Sequence, residues 1–323
     1  SNKNLKWETT TSLNAGLDFS LFNKIDGYVE LYEMSTTDLL VQRSLPDILG
    51  FDWVYDNLGE VRNRGVEVSL NTRNIMRENF TWRSNINFHL NRNEIISLYG
   101  DMDENGNELD DFENQWFIGR SIDEIWHYRT LGIWQADEAE EAARYGVRPG
   151  DYKIEDVNGD GLFTREDRQF LGYTEPRFRW SMRNEFRLFK DFDFSFTIYS
   201  YWGHKSSFNQ LQNRAGLLDR RNSYVMPYWT EEDPNNEWAR LYSSAGGTGG
   251  FNTYRDRSFI RLENVSLAYT LPREFVQKIN AQNIRIYANV RNVGFYAPEW
   301  DFWDPENSGP TPRYFTFGID LTL

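Results

Sequence analysis

The chain has 323 residues, a formal net charge of −14 and no cysteine, and aromatic residues make up 16% of it. The net negative charge argues against nucleic-acid binding, which is favoured by basic surfaces. The lack of cysteine excludes disulfides, thiol nucleophiles and Cys-ligated zinc in this chain. No stretch reaches the roughly 18 consecutive apolar residues of a membrane-spanning helix. A membrane β-barrel is compatible with the mean hydropathy of −0.70, because only half of each barrel strand faces lipid.

Apolar and polar residues alternate along most of the chain, which is the period of a β-strand. The first predicted strand starts near Leu13, where five apolar residues occupy every second position: Leu13, Ala15, Leu17, Phe19 and Leu21. The same pattern predicts further strands near residues 25–34, 57–72, 80–91, 177–188, 192–199, 257–271, 284–291 and 313–323. The chain is therefore expected to contain about nine strands, each long enough to cross a bilayer when tilted.

The predicted connections alternate between short and long. Short links are expected near residues 22–24, 73–79, 189–191 and 272–282, and long links follow the second, fourth, sixth and eighth strands. Outer-membrane barrels sort their connections in this way, with tight periplasmic turns and long extracellular loops. The pattern predicts an all-β protein, a transmembrane antiparallel β-barrel, in which residues 92–175 form a long extracellular loop.

The last predicted strand resembles the C-terminal strand of an outer-membrane β-barrel, which carries its sorting signal. Phe315, Phe317, Ile319, Leu321 and Leu323 share one face, and the chain stops on an apolar residue. Barrel sorting signals usually end on an aromatic residue, so Leu323 departs from that form.

The sharpest chemical motif is a twelve-position loop that starts at Asp156. Calcium loops of the EF-hand type take oxygen ligands at positions one, three and five, a backbone carbonyl at seven and a carboxylate at twelve, with glycine at six. These ligand positions are occupied by Asp156, Asn158, Asp160, Leu162 and Asp167, and Gly161 fills the turn. Because the preceding residues do not read as a helix, the motif predicts an isolated, structural Ca²⁺ site within an extracellular loop; an ion-free Asp/Asn/Gly turn is the alternative.

No pattern in the chain indicates catalysis. His89, His127 and His204 are scattered without metal-ligand spacing. With 49 Asp and Glu residues, any two carboxylates could be paired as in a glycosidase, so such a pair carries no weight. The sequence predicts no catalytic residue, no bound organic cofactor and no enzyme activity.

Seven stretches resemble the SusC/RagA family of TonB-dependent outer-membrane transporters of Bacteroidota. In order along the chain they are residues 4–8, 37–40, 57–67, 132–135, 156–161, 259–272 and 304–306, which read NLKWE, TDLL, NLGEVRNRGVE, GIWQ, DVNGDG, FIRLENVSLAYTLP and DPE. The resemblance implies a barrel of about 22 strands around a plug. Residues 1–323 would be its C-terminal segment, and plug, signal peptide and remaining strands would come from upstream sequence or another chain.

The resemblance also implies a function and partners. The complete protein is expected to import glycan oligosaccharides or oligopeptides across the bacterial outer membrane, with a SusD-like surface lipoprotein and a TonB complex acting through the plug. Outer-membrane lipid is an expected partner and nucleic acid is not. Two alternatives stay open at this point: a passive outer-membrane porin, and a secreted calcium-dependent carbohydrate-binding β-sandwich protein.

Overall fold

The computed structural model describes residues 5–44, 50, 53–208, 227–244, 252–301, 303–307 and 309–323. The chain divides into two compact units. Unit 1 contains residues Ser1–Asp123, Glu175–His204 and Arg257–Leu323, and unit 2 contains Glu124–Thr174 and Lys205–Asp256.

Strands make up most of unit 1, whereas the strands of unit 2 are short. In chain order they are β1 (Thr9–Leu21), β2 (Ile25–Ser44), β3 (Trp53–Arg77), β4 (Phe80–Ser97), β5 (Glu124–Tyr128), β6 (Thr130–Ile133), β7 (Tyr152–Ile154), β8 (Arg168–Tyr173), β9 (Phe178–Leu188), β10 (Phe192–Trp202), β11 (Lys205–Ser207), β12 (Tyr254–Asp256), β13 (Phe259–Thr270), β14 (Asn283–Tyr296) and β15 (Tyr314–Thr322). In the part of the chain that the structure describes, two short α-helices accompany them, α1 (Ala139–Arg144) and α2 (Arg273–Val276). None of the helices in the described ranges is long and apolar enough to span a membrane.

Unit 1 is built on a nine-stranded sheet in the order β1-β2-β3-β4-β9-β10-β13-β14-β15. Every neighbouring pair is antiparallel. The prediction of nine strands joined alternately by short and long links is confirmed. Several strands run further than predicted: β2 continues to Ser44, β3 spans Trp53–Arg77, and β4 continues to Ser97, so the long connection begins after residue 97.

The short links are tight reversals. Phe22 and Asn23 adopt φ of 53° and 52°, and Phe189 and Lys190 adopt 52° and 70°. These left-handed conformations are costly for residues with a Cβ, and two successive ones bend the chain back on itself sharply. β1 and β9 therefore each pair directly with the next strand.

The two faces of the sheet differ as the alternation predicts. On one face, long apolar side chains are exposed in rows, including Leu13, Leu17, Phe317 and Ile319, of which Phe317 is 78% exposed. On the other face, amide side chains hydrogen-bond across strands, as from Asn85 to Asn71 at 2.9 Å. Exposed apolar rows with a polar opposite face are the reverse of a soluble core and match a barrel wall whose outer face meets lipid.

Two tyrosines on the polar face each cover a glycine on the neighbouring strand. Tyr32 is paired with Gly65 between β2 and β3, and Tyr287 with Gly318 between β14 and β15. A Cβ built on either glycine would meet the ring of its tyrosine. The aromatic ring thus packs in the space that a glycine leaves open, a known device for stabilising glycine in a sheet.

This pairing predicts coupled mutational effects. Replacing Tyr287 by Ala should destabilise the β14–β15 pair by about 1 kcal/mol, the scale of a cross-strand pair. Gly318→Ala should be harmful with Tyr287 present and neutral without it, giving a non-zero coupling in a double-mutant cycle measured by urea unfolding of the full-length protein in lipid vesicles. Additive effects of the two substitutions would contradict the pairing.

The described residues of unit 2 include three short two-stranded sheets, β5–β8, β6–β7 and β11–β12, and small clusters of buried hydrophobic residues. Trp134 is 2% exposed and packs with Ala142, Val147 and Tyr145. The Tyr145 ring also stacks on Phe163, with ring centroids 5.0 Å apart. The connection predicted as one long loop is therefore folded over much of its length.

Candidate functional site

A cleft of about 560 Å³ lies on the polar face of the unit 1 sheet. Side chains from six strands and from the β14–β15 connection line it, among them Tyr28, Glu67, His89, Arg179, Tyr199, Tyr201, Glu263 and Glu306. These side chains lie close together because the antiparallel register places polar-face residues of neighbouring strands directly opposite one another. Glu67 of β3 is opposite His89 of β4, which is opposite Arg179 of β9. The cleft combines aromatic and apolar surface with a few polar and charged side chains, the general character of a ligand-binding site.

The aromatic side of the cleft is formed by Tyr199 and Tyr201, which pack against the buried ring of Phe259. Tyr199, Tyr201 and Phe259 contact one another with ring centroids 5.3–5.8 Å apart, and the guanidinium of Arg179 lies 4.9 Å from the Tyr201 ring centre. Aromatic faces offer flat apolar surface together with a hydroxyl that can hydrogen-bond. Such a wall suits either a sugar ring or a peptide side chain.

The cleft also carries three carboxylates, each with a nearby hydrogen-bonding or basic group. Glu67 lies 3.8 Å from Nε2 of His89, and Glu263 lies 3.3 Å from the guanidinium of Arg291. Glu306 accepts a 2.5 Å hydrogen bond from the hydroxyl of Tyr199. These oxygens are acceptors, so they match hydroxyl or amine donors on a solute.

Beneath the cleft lies a buried ion pair. Arg261 is 1% exposed and Asp304 is 3% exposed, and Nη2 of Arg261 donates to Asp304 over 2.5 Å. Burial raises the pKa of Asp304, but the hydrogen bonds from Arg261 and from the backbone N–H of Glu306 outweigh it and hold that pKa below its usual value. Because a charge buried in this way is costly unless it is fully paired, Asp304 is firmly held against β13.

A second hollow of about 330 Å³ lies on the polar face near the short turns. It is lined by the arginines 83, 183, 187 and 285 and by two acids. Arg187 is 2.9 Å and Arg285 3.9 Å from Asp193, and Arg285 also lies 3.6 Å from Asp320. This row of cross-strand ion pairs belongs to a surface that meets water or polar groups, as the inside of a barrel does.

The predicted ion loop lies in unit 2 and closes on itself through backbone N–H groups. Asp156 accepts from Gly159 and Gly161 at 2.7 and 2.9 Å. Asn158 accepts from the N–H of Asp160, and Asp160 accepts from that of Leu162. A carboxylate has about four acceptor positions, so these bonds orient the side chains and leave oxygen lone pairs for a cation.

Asp167, the predicted ligand at position twelve, is fully buried. Its two oxygens accept from the N–H groups of Val157 and Thr164 at 2.9 and 2.8 Å, so it ties the end of the loop to its beginning. Within the described residues, no three His, Asp or Glu side chains converge as a ready-made metal centre. The structure brings the five predicted ligands onto one loop, and ion binding would require their carboxylates to close further.

Burial tends to raise the pKa of Asp156, but the N–H groups of Gly161 and Gly159 outweigh it and lower that pKa. The carboxylate is therefore ionised at neutral pH, as an ion ligand must be. The same loop is joined to the core of unit 2, since the Tyr145 hydroxyl lies 3.3 Å from Asp156.

Sequence reasoning predicted the ion loop, whose ion binding stays a prediction, and missed the cleft. The loop is a contiguous motif, whereas the cleft residues are up to 278 positions apart in the sequence, from Tyr28 to Glu306. Their one shared signal is a place on the polar side of the alternation. His89, to which sequence analysis assigned no chemistry, lines the cleft.

An antiparallel sheet with a lipid-compatible outer face and a polar, cleft-bearing inner face defines the wall of a membrane β-barrel. Residues 1–293 match the family model described as TonB dependent receptor-like, beta-barrel. The chain belongs to this TonB-dependent receptor β-barrel family, whose members are outer-membrane proteins.

Relatives and solved structures agree with that assignment. The chain is 30% identical to the TonB-dependent receptor P26 of Formosa agariphila, over 100% of this chain and 35% of that protein. It is 28% identical to the TonB-dependent receptor SusC of Bacteroides thetaiotaomicron, over 100% of this chain and 32% of that protein. The RagAB peptide transporter structure superposes with a TM-score of 0.75 at 21% identity, over 100% of this chain and 36% of that chain, which shows the same fold.

These comparisons confirm the resemblance to SusC and RagA and the outer-membrane location. The chain spans about a third of the length of the curated relatives it matches. Of the two alternatives, the secreted β-sandwich is wrong, because the family and the fold are those of a membrane barrel.

Proposed function

We propose that the complete protein is a SusC-like transporter that imports an oligosaccharide or an oligopeptide across the outer membrane, and that this chain supplies the C-terminal part of its barrel. Membership of the TonB-dependent receptor family carries the proposal. The cleft supports it, because donors and acceptors on a polar barrel face, beside aromatic rings, can hold a solute in passage. A SusD-like lipoprotein and a TonB complex are the proposed partners.

Uptake by cells tests the transporter against the passive porin. Cells lacking the gene and cells carrying it would be given two fluorescent probes, an oligosaccharide and an oligopeptide of similar mass, with and without an uncoupler of the proton gradient. The proposal expects gene-dependent uptake of one probe that stops with the uncoupler. Gene-dependent uptake that survives the uncoupler would support a porin instead.

The cleft itself is tested by Tyr201→Ala. Removing the Tyr201 ring should weaken solute binding by about 10-fold, since an aromatic contact contributes about 0.5–1.5 kcal/mol beyond the area that it buries. The measurement is solute binding by calorimetry on the purified full-length protein. Tyr55→Ala, a half-exposed tyrosine of β3 that does not line the cleft, is the matched control and should leave binding unchanged.

We also propose that Asp156, Asn158, Asp160, Leu162 and Asp167 bind one structural Ca²⁺. The support is the ligand spacing and the orientation of three of these side chains by backbone N–H groups. The ion would supply no chemistry to transport and would instead hold the loop in one conformation.

A further inference from the structure

The connection between β14 and β15 runs back over the polar face of unit 1. Residues 303–307 of this connection, here called the strap, bring Glu306 to the cleft that β2, β3, β4, β9, β10 and β13 otherwise form. Asp304 and Pro305 of the strap are almost completely buried. The buried carboxylate of Asp304 is costly unless it is paired, so specific contacts hold this part of the strap in place.

Arg261 makes two of those contacts, one with Asp304 and one with Glu306. Its three guanidinium nitrogens face three different partners: Nη2 donates to Asp304 at 2.5 Å, Nη1 donates to Asn292 at 2.5 Å, and Nε lies 3.5 Å from Glu306. The Nε atom makes no hydrogen bond in the described structure, so its contribution to Glu306 is electrostatic. A planar guanidinium can serve three separate acceptors at once, which a lysine ammonium on a flexible stem cannot do in the same geometry.

The strap is also braced by a hydrogen bond within it and by one at its C-terminal end. The N–H of Glu306 donates to Asp304 at 2.9 Å, and Arg257 donates to the backbone carbonyl of Asn307 at 3.2 Å. Asn292, which holds a left-handed φ of 52°, donates to the carbonyls of Thr311 and Pro312. The residue that Arg261 contacts on β14 therefore also fixes the return of the chain into β15.

We propose that Arg261 is a positioning residue: it fastens the strap across the polar face, and the fastened strap sets the width of the solute cleft and places the Glu306 carboxylate beside Tyr199. Arg261 itself is too deeply buried to meet a solute, so it acts through Asp304 and Glu306. The inference rests on the proposed function only in treating the cleft as the solute site. The solutes it favours are rich in hydrogen-bond donors, since the strap adds an acceptor to the cleft.

The position of the strap can be measured without any solute. The chain contains no cysteine, so Pro305→Cys places a single reporter thiol in it; any cysteine elsewhere in the full-length protein would be replaced first. In the purified full-length protein with Arg261 present, this thiol should react slowly with a small maleimide. Arg261→Met should speed the reaction by at least about 10-fold, because removing one partner of a buried ion pair strongly favours opening.

A second reporter cysteine measures how open the cleft is. Thr197→Cys lies in the cleft, and its reaction with a bulky polyethylene-glycol maleimide should accelerate about 10-fold in Arg261→Met, while reaction with the small reagent changes little. Asn280→Cys, in an exposed turn of the link after α2, is the control and should react equally in both backgrounds. Arg261→Lys should give intermediate rates, since it restores the charge without the three-way geometry.

Two results would overturn the proposal. One is equal protection of the Pro305→Cys thiol with Arg261 present and in the Arg261→Met background, in protein that keeps the heat-modifiable gel mobility of a folded barrel. The other is an opened strap with no change in bulky-reagent access to the cleft. Neither thiol assay uses a solute, so a negative result in these assays would not contradict the proposed transport function. In the same way, a negative uptake experiment would not contradict the proposed role of Arg261 in holding the strap.

Discussion

Replacing Asp151 by alanine is expected to destabilise unit 2 by about 3 kcal/mol, the lower end of the cost of breaking a buried ion pair. Asp151 is 1% exposed, and its carboxylate lies 2.7 Å from the guanidinium of Arg240. It also accepts from the backbone N–H groups of Ser244 and Arg148 at 2.8 and 3.1 Å. One side chain thus joins two segments of unit 2 that are far apart in sequence, and its loss leaves buried donors without an acceptor.

Hydrogen exchange measures this effect better than global unfolding, because the large sheet of unit 1 dominates any bulk transition. Amides of β6 and β7 should exchange on the order of 100-fold faster in Asp151→Ala than in the unsubstituted protein, and those of β9 and β10 should be unchanged. Glu232→Gln removes a charge from an exposed site of the same unit and is the matched control. If the two variants exchange alike, the ion pair does not stabilise unit 2.

Most of the sheet could be predicted from sequence because the bilayer imposes its pattern. Where one face of a strand meets lipid, every second residue must be apolar, and this alternation located nine strands in the right order. The strand ends beyond the lipid were not predictable in the same way. At Thr36–Ser44 of β2 and Trp53–Asp56 of β3 the hairpin ladder continues, but both faces are free to be polar or mixed, so the periodicity fades while the pairing persists.

The candidate sites also differ in how far the sequence could predict them. The ion loop is local in sequence, so its spacing alone carries the prediction. The cleft exists only through register, since Glu67, His89 and Arg179 become neighbours when β3, β4 and β9 pair. The role of Arg261 is even harder to predict from sequence. A charged residue in a barrel strand is expected to face the lumen, and no sequence pattern indicates that Asp304 folds back to pair with it.

Asp160→Ala is expected to abolish calcium binding by the loop. Asp160 is the predicted ligand at position five, and it also shapes the loop, because it accepts from the N–H of Leu162 and from the side chain of Asn158 at 2.8 and 3.1 Å. The ligand at position twelve is the shorter Asp167, and a non-helical segment precedes the loop. The affinity should therefore be that of extracellular calcium modules, with a Kd of about 10⁻⁴–10⁻³ M.

Calorimetric titration of the full-length protein with CaCl₂ tests this, with Asp137→Asn, an exposed acid outside the loop, as the control. The unsubstituted protein and the control should bind one ion at the loop, and Asp160→Ala none. Identical titrations for all three proteins would mean that the loop is an ion-free turn whose N–H groups already satisfy its carboxylates.

The pH dependence gives an independent check on the same ligands. The folded-state pKa of Asp156 is lowered from its ordinary 3.8 by the Gly161 and Gly159 N–H groups, against the opposing effect of burial. A lowered pKa means that the stabilising contribution of the carboxylate is present above the ordinary value and is lost as the pH falls through the lowered one. Calcium binding should accordingly be the same at pH 7 and pH 5.5 and disappear only in strong acid, whereas a fall between pH 7 and pH 5.5 would show that a group other than the Asp156 carboxylate controls the site.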